Sequence, residues 1–161
     1  MKWTTIRNKL IFALLIFFLI ILFSFGIRGF LKGKTPKQPD GLLKGEVTRV
    51  IDGDTFMFKE SSGEEIKVRL IGVDAPESVN PDKEKNTKEG DLASEYTKKA
   101  LEGKIVYLEF DIKAKDNYDR YLAYVWIDGE LFNKKILNDG HAVLLTIGPN
   151  IKYVDYLVMV N

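Results

Sequence analysis

The hydrophobic pattern divides the chain into two parts that obey different periods. Leu10 to Phe23 is 14 consecutive residues without a polar side chain, and counting through Ser24 and Gly26 the apolar run reaches Ile27, 18 residues in all. A helix rising ~1.5 Å per residue would cover about 27 Å over that length, against ~30 Å for a bilayer core. Three readings compete. One is an uncleaved single-pass anchor at 10–27. A second is a cleaved signal, whose apolar region is normally ~7–15 residues and ends in a small-x-small site that Ser24-Phe25-Gly26 matches poorly. A third is a buried core helix, which would be expected to carry a polar stripe that this run lacks. Residues 1–9 form a basic flank. Basic residues stand on both sides of the run, so they do not fix its orientation. Residues 28–43, with Gly29, Gly33, Pro36, Pro39 and Gly41, have no period and read as a flexible linker.

Beyond the linker the pattern shortens to strands and turns. Glu46–Ile51 is β-branched, Asp52-Gly53 is a turn pair, and Thr55–Phe58 resumes in strand character. Ile66–Val73 alternates, with Ile66, Val68 and Leu70 on one face and Lys67, Arg69 and Ile71 on the other. Ala75 precedes a proline and is pushed toward an extended conformation, which ends the strand. After a polar loop at 81–88, Leu92, Ala93, Tyr96, Ala100 and Leu101 recur at helical spacing, and Gly103 stops the helix. Lys104–Phe110 and Tyr121–Ile127 read as strands on either side of the charged loop Lys113–Arg120. Leu131–Asn138 reads as a short helix closed by Gly140, and Ile151–Asn161 begins a last one. The order β-β-β-α-β-β-α predicts an α+β, mainly β fold: a small closed barrel of five strands with two to three helices packed around it, preceded by the apolar helix. Closing a barrel removes exposed sheet edges in a domain of this size.

Composition narrows the chemistry. The chain has no cysteine and one histidine, His141, which excludes disulfides, thiolate nucleophiles and thiolate or His-rich metal sites. His141 follows a helix-stopping glycine and reads as a core or partly exposed side chain rather than a ligand. The net charge of +1 hides an asymmetry: seven of 24 basic residues and no acidic one lie in 1–37, leaving 17 basic against 23 acidic residues, net −6, in 38–161. That balance disfavours tight nonspecific nucleic-acid binding, which depends on phosphate neutralisation.

Two carboxylate clusters remain as candidates, Asp52-Gly53-Asp54-Thr55 and Asp74-Ala75-Pro76-Glu77. Either alone is a common turn. Brought together by hairpin pairing, Asp54 and Asp74, with Glu77 nearby, would suit a hard divalent cation. The soluble part has three arginines against 14 lysines. Arg69 lies inside an otherwise apolar strand, where a guanidinium must meet an anion: a phosphate, or a structural partner such as Asp74 or Glu77. Arg120, in the charged loop, reads on its own as a solvated charge.

Taken in order, Val50-Ile51-Asp52-Gly53-Asp54-Thr55, then Val68-Arg69-Leu70-Ile71-Gly72-Val73-Asp74-Ala75-Pro76-Glu77, then Asp116-Asn117-Tyr118-Asp119-Arg120-Tyr121-Leu122-Ala123-Tyr124-Val125 resemble the staphylococcal nuclease (thermonuclease) family. Ala93–Lys99 and Asn133–Ala142 are similar as well, and the likeness covers about residues 44–150. The resemblance implies a five-stranded barrel of the oligonucleotide-binding type and Ca²⁺-dependent hydrolysis of DNA and RNA phosphodiesters, leaving 3′-phosphate and 5′-hydroxyl ends. By position it makes Asp54 and Asp74 metal carboxylates and Ala75 a metal ligand through its backbone carbonyl. It makes Glu77 the general base, Arg69 and Arg120 the phosphate-gripping arginines, and Tyr118 a substrate contact. Residues 44–161 then read as the nuclease domain of a monomer, and the apolar segment with the implied Ca²⁺ requirement points to the cell membrane with that domain outside, or to secretion if the segment is cleaved.

Departures from the family accompany the match. Asn117 stands where the family has a lysine, and the aromatic pair that packs on a nucleobase falls at Thr146 and Ile147 or Gly148. The last helix is shortened, which would uncover apolar barrel surface. A noncatalytic barrel binding nucleic acid or an envelope partner, and a product too short to fold stably, are the alternatives these departures raise.

Overall fold

The computed structural model describes residues 14, 16–18, 35–79, 82, 84, 86–159. The chain separates into two compact units, residues 1–35 and 36–161. In the first unit Leu14, Ile16, Phe17 and Phe18 are helical and exposed. The remainder of the expected membrane or signal segment at 10–27 lies outside the described residues. Among the described residues no helix is long and apolar enough to cross a membrane.

The second unit is built on strands β1 (Leu43–Asp52), β2 (Thr55–Glu60), β3 (Glu65–Leu70), β4 (Val73–Asp74), β5 (Ile105–Lys115), β6 (Tyr121–Ile127), β7 (Glu130–Leu131) and β8 (Val143–Leu144). Its helices are α1 (Lys88–Leu101), α2 (Phe132–Asn138) and α3 (Val154–Val158). The large sheet runs β3-β2-β1-β5-β6-β7. β3 also pairs with β6 in parallel, Val68 with Tyr121 and Arg69 with Leu122, which closes β1, β2, β3, β5 and β6 into the expected five-stranded barrel. The interior is filled by alternate residues of these strands, Val47, Phe56, Phe58, Val68, Leu108 and Val125 among them, all essentially inaccessible. The outward neighbours Thr48, Lys59, Glu65 and Lys67 are exposed.

Four details differ from the pattern read along the sequence. The third strand ends at Leu70 rather than Val73, because Gly72 takes φ +75° and turns the chain. Ile71 leaves the outer face for the core, and Val73–Asp74 pairs instead with Val143–Leu144. The strand before the charged loop runs on to Lys115, so that only Asp116–Arg120 forms the hairpin tip. Helix α1 turns Gly90, Ala93, Thr97 and Leu101 inward and leaves Leu92 58% exposed. Those inward residues are spaced three and four apart, and Leu92 is one step off their stripe.

The last helix is five residues long, yet Leu157 lies in the core. The Lys134 ammonium, on α2, donates to the carbonyls of Leu157 and Met159 at the helix end, where a cation is favourable. Burial lowers the Lys134 pKa. Tyr153 and Tyr156 pack against the core beside Leu157, so this end of the chain adds to it.

Candidate active site

Register places the charged residues. Thr55 pairs with Arg69 across β2 and β3, and the Asp54 carbonyl accepts the Leu70 N–H at 2.9 Å, so the Asp52–Thr55 turn sits at the end of the strand that carries Arg69. One Arg69 nitrogen donates to Asp54 Oδ2 at 2.5 Å and the other to Asp74 Oδ1 at 3.1 Å. A single guanidinium thus spans both carboxylates. Asp54 is 4% exposed as a residue, whereas the Asp74 side chain is 49% exposed, so the pair has a buried end and an open end. Asp54 Oδ2 also accepts the Ala75 N–H at 3.2 Å, and Asp54 Oδ1 accepts the Thr55 hydroxyl at 2.8 Å. Burial works against the Arg69 charge, but the two carboxylates outweigh it and raise its pKa further above its ordinary value.

The parallel β3–β6 pairing that closes the barrel also delivers the second arginine, because Arg120 immediately precedes β6. Arg120 donates its Nε–H to Asp116 Oδ2 at 2.7 Å and reaches Thr55 Oγ1 at 3.4 Å. Thr55 therefore links the two arginines: it donates to Asp54 and accepts from Arg120. Asp116 also receives the Tyr118 and Arg120 backbone N–H groups, an Asx-type turn that shapes the hairpin tip. Asp119 completes that tip with φ 60°, the left-handed conformation Asp tolerates better than most residues. The Tyr118 ring is 81% exposed and lies 5.4 Å from the Arg120 guanidinium.

Beside these groups is a pocket of about 290 Å³ lined by Arg69, Asn117, Tyr118, Arg120, Leu145 and Ile147 with their neighbours. Its lining excludes the carboxylates of Asp54, Asp74 and Glu77, so the arginines stand between a cavity and the acidic cluster. Asn150 clamps the segment after the pocket to β5, accepting the Lys113 N–H and donating to the Lys113 carbonyl, both at 2.8 Å.

Of the expected residues, Asp54, Asp74, Ala75 and Arg69 meet directly, Arg120 joins through Thr55, and Tyr118 joins through Arg120. Glu77 is exposed, and its carboxylate makes no hydrogen bond or ion pair among the described residues. Arg120, read alone as a solvated charge, is instead tied down on two sides. His141 is half-buried and stacks on Tyr96 with ring centroids 4.2 Å apart. No group of three or more acidic or histidine side chains able to hold a metal occurs among the described residues.

Sequence reasoning assigned no role to Thr55, Asp116 or Asp52. Asp52 Oδ1 accepts the Ser78 N–H at 3.3 Å and the Ser78 hydroxyl at 2.8 Å, and the Ser94 hydroxyl lies 3.3 Å away. It ties the first acidic turn to the loop that carries the second and to α1. The available signal was the Asp52-Gly53-Asp54-Thr55 spacing itself, in which every polar residue has a partner elsewhere in the fold.

Residues 67–160 match the family model described as staphylococcal nuclease homologue. The chain is 42% identical over 144 residues, 89% of its own length and 83% of the relative's, to Thermonuclease of Staphylococcus intermedius. It is 44% identical over 108 residues to Thermonuclease of Staphylococcus hyicus, covering 67% of this chain and 63% of that one. It is 35% identical over 128 residues to Endonuclease YncB of Bacillus subtilis, covering 77% of this chain and 60% of that protein.

Proposed function

We infer that this chain, which belongs to the staphylococcal nuclease family, is a Ca²⁺-dependent phosphodiester hydrolase acting on DNA and RNA. The observation that carries the reading is the Arg69 guanidinium spanning Asp54 and Asp74, with Arg120 joined to the same cluster through Thr55. Two fixed positive charges beside a pocket are what a phosphoryl group under attack requires, since negative charge grows on its equatorial oxygens. Arginine suits this task because its planar fork meets two oxygens at once and it does not lose its proton.

The donor set fits a hard cation. Asp54, Asp74 and the Ala75 carbonyl offer only oxygen, the donor type a hard cation takes, and the Asp74 side chain is half-exposed. These residues would hold Ca²⁺, which when bound supplies further positive charge to the phosphoryl group. The chain's own side chains do the rest. Arg69 and Arg120 bind and orient the phosphate. Glu77, exposed and without a partner among the described residues, accepts a proton from the attacking water. The oxygen of that water bonds to phosphorus in line as the P–O5′ bond breaks, and the 5′ oxygen takes a proton from solvent water and leaves as a hydroxyl. Tyr118, beside Arg120 at the pocket rim, contacts the substrate backbone.

The apolar run at 10–27 and the abundance of Ca²⁺ outside cells support a domain held at the outer face of the membrane, or released if the run is cleaved. Digestion of a plasmid and of an RNA with Ca²⁺ or with EGTA tests the reading, alongside Glu77→Ala. Cleavage in Ca²⁺ only, reduced in the variant, is expected. Equal degradation in both conditions, or none in either, overturns it. Tight DNA binding without cleavage would mark a binding module instead.

A further inference from the structure

Among the described residues the Glu77 carboxylate has no partner, so its aim is set by its backbone, and the backbone is gripped on three sides. Upstream, Ala75 donates its N–H to Asp54. Downstream, Ser78 donates both its N–H and its hydroxyl to Asp52. Beneath, the first turn of α1 is pressed against the Glu77 carbonyl. Thr87, whose hydroxyl accepts the Gly90 N–H, donates its own N–H to that carbonyl at 2.9 Å. A Cβ built on Gly90 would lie 2.1 Å from the Glu77 oxygen, 2.4 Å from its carbonyl carbon and 2.8 Å from the Ser78 nitrogen. All three are main-chain atoms, which cannot swing aside as the end of a long side chain does.

Helix propensity makes this arrangement informative. Glycine inside a helix costs about 0.5–1 kcal/mol relative to alanine, and Gly90 is the third residue of α1 with an ordinary helical backbone. Its φ is not in the left-handed region, so backbone conformation gives no reason for glycine here. The close approach of the Glu77 main chain does. Gly53 repeats the device on the other side of the loop: a Cβ there would lie 2.6 Å from the Ala75 Cβ and 2.9 Å from the Ala93 Cβ. The loop Ala75–Ser78 is thus seated between a glycine in the acidic turn and a glycine in the helix.

We propose that Gly90 is a positioning residue for hydrolysis: by letting α1 approach the Glu77 carbonyl, it sets where the Glu77 carboxylate stands over the reacting phosphate. The inference rests on the role given to Glu77 above. Gly90 touches neither substrate nor metal, so its effect must pass through Glu77.

A double-mutant cycle on the full chain tests this, with a labelled single-stranded DNA oligonucleotide and saturating Ca²⁺. Glu77→Gln is expected to lower kcat by about 10²- to 10⁴-fold. Gly90→Ala, which displaces the loop by a fraction of an ångström or more, is expected to lower kcat by about 10²-fold, with KM changed less than about threefold. In the Glu77→Gln background the same Gly90→Ala change is expected to alter kcat by less than about twofold. A multiplicative loss in the double variant, or an effect confined to KM, overturns the inference and leaves the role of Glu77 standing. Full activity of Glu77→Gln overturns the role of Glu77 and the inference with it. Should Gly90→Ala melt below the assay temperature, Ser78→Ala removes the grip on the same loop without adding an atom and is read by the same cycle.

Discussion

The two arginines of the candidate site sit in contrasting settings. Arg69 belongs to a barrel strand, is paired with a carboxylate that is almost wholly buried, and shares the Asp54 side chain with a threonine hydroxyl and a backbone amide. Arg120 stands at the foot of an exposed hairpin tip, and its strongest partner, Asp116, is only four residues away. The first is fixed by the fold as a whole. The second is fixed by a turn. Both line the same pocket, so the phosphate grip proposed for them would be split between a rigid element and a local one, and stability and activity should separate along that line.

The largest effect is expected at Arg69. Arg69→Ala leaves the Asp54 carboxylate buried without its cation, which costs about 3–5 kcal/mol when a buried pair is broken on one side, with the open Asp74 end holding the loss near the lower figure. Activity should fall by about 10³-fold or more, since a phosphate donor and the organiser of both carboxylates are removed together. Urea unfolding and oligonucleotide cleavage measured on one preparation check the two losses. Unchanged stability would mean that Asp54 is solvated rather than held.

Arg120→Lys should break the comparison in the other direction. It keeps the charge but loses the fork that reaches Asp116 and Thr55 at once. A kcat lower by about 10²- to 10³-fold is expected, with stability changed by about 1 kcal/mol or less because the pair is local and partly open. If the unfolding midpoint drops as far as in Arg69→Ala, the hairpin is part of the barrel's support and the distinction fails.

The same contrast explains what was legible in the sequence. Barrel strands announce themselves by alternation, and Val68 and Leu70 turned inward as their spacing required. Arg69 was conspicuous because a guanidinium in an apolar strand needs an anion. Ile71 and Leu92 misled, since both are apolar residues one step from the face that alternation or helical spacing assigned, and a glycine turn and a tertiary contact decided their fates. Thr55 and Asp52 stood in a candidate cluster, but their contacts were not legible, for another reason. Their partners lie 65, 26 and 42 positions away, at Arg120, Ser78 and Ser94, and nothing local encodes such pairings. The grouping of Asp54, Asp74 and Arg120 around one strand was legible only through the order of three motifs, not through any one of them.

A gain is expected on the local side. Ile147 lines the pocket and is 64% exposed, where an aromatic ring would give a nucleobase a stacking surface. Ile147→Tyr should lower KM for a DNA oligonucleotide by about 5- to 150-fold, the equivalent of ~1–3 kcal/mol per stacked base, with kcat little changed. Asn150 holds the segment that follows to β5 through both its amide groups, so the added ring would stand on a fixed backbone. A change in kcat without a change in KM would place the base elsewhere.

The smallest effect concerns how the hairpin responds to acid. Burial alone would raise the Asp116 pKa, but the Arg120 backbone N–H, its guanidinium and the Tyr118 N–H together lower it below the ordinary 3.8. A carboxyl whose folded-state value lies below its unfolded one adds stability that is complete above the unfolded value and disappears as pH falls through the folded one. The grip on Arg120 is therefore constant across the neutral range and fails only in strong acid. Comparing Asp116→Asn with the unaltered chain by urea unfolding should give a difference of about 1 kcal/mol, flat from pH ~5 upward and narrowing below pH ~4. The carboxylate that neutralises Arg120 stays charged wherever the enzyme works, so any change in cleavage between pH 6 and 8 must arise from another group. A stability difference that varies across that interval would show that the turn, and not only the barrel, senses pH.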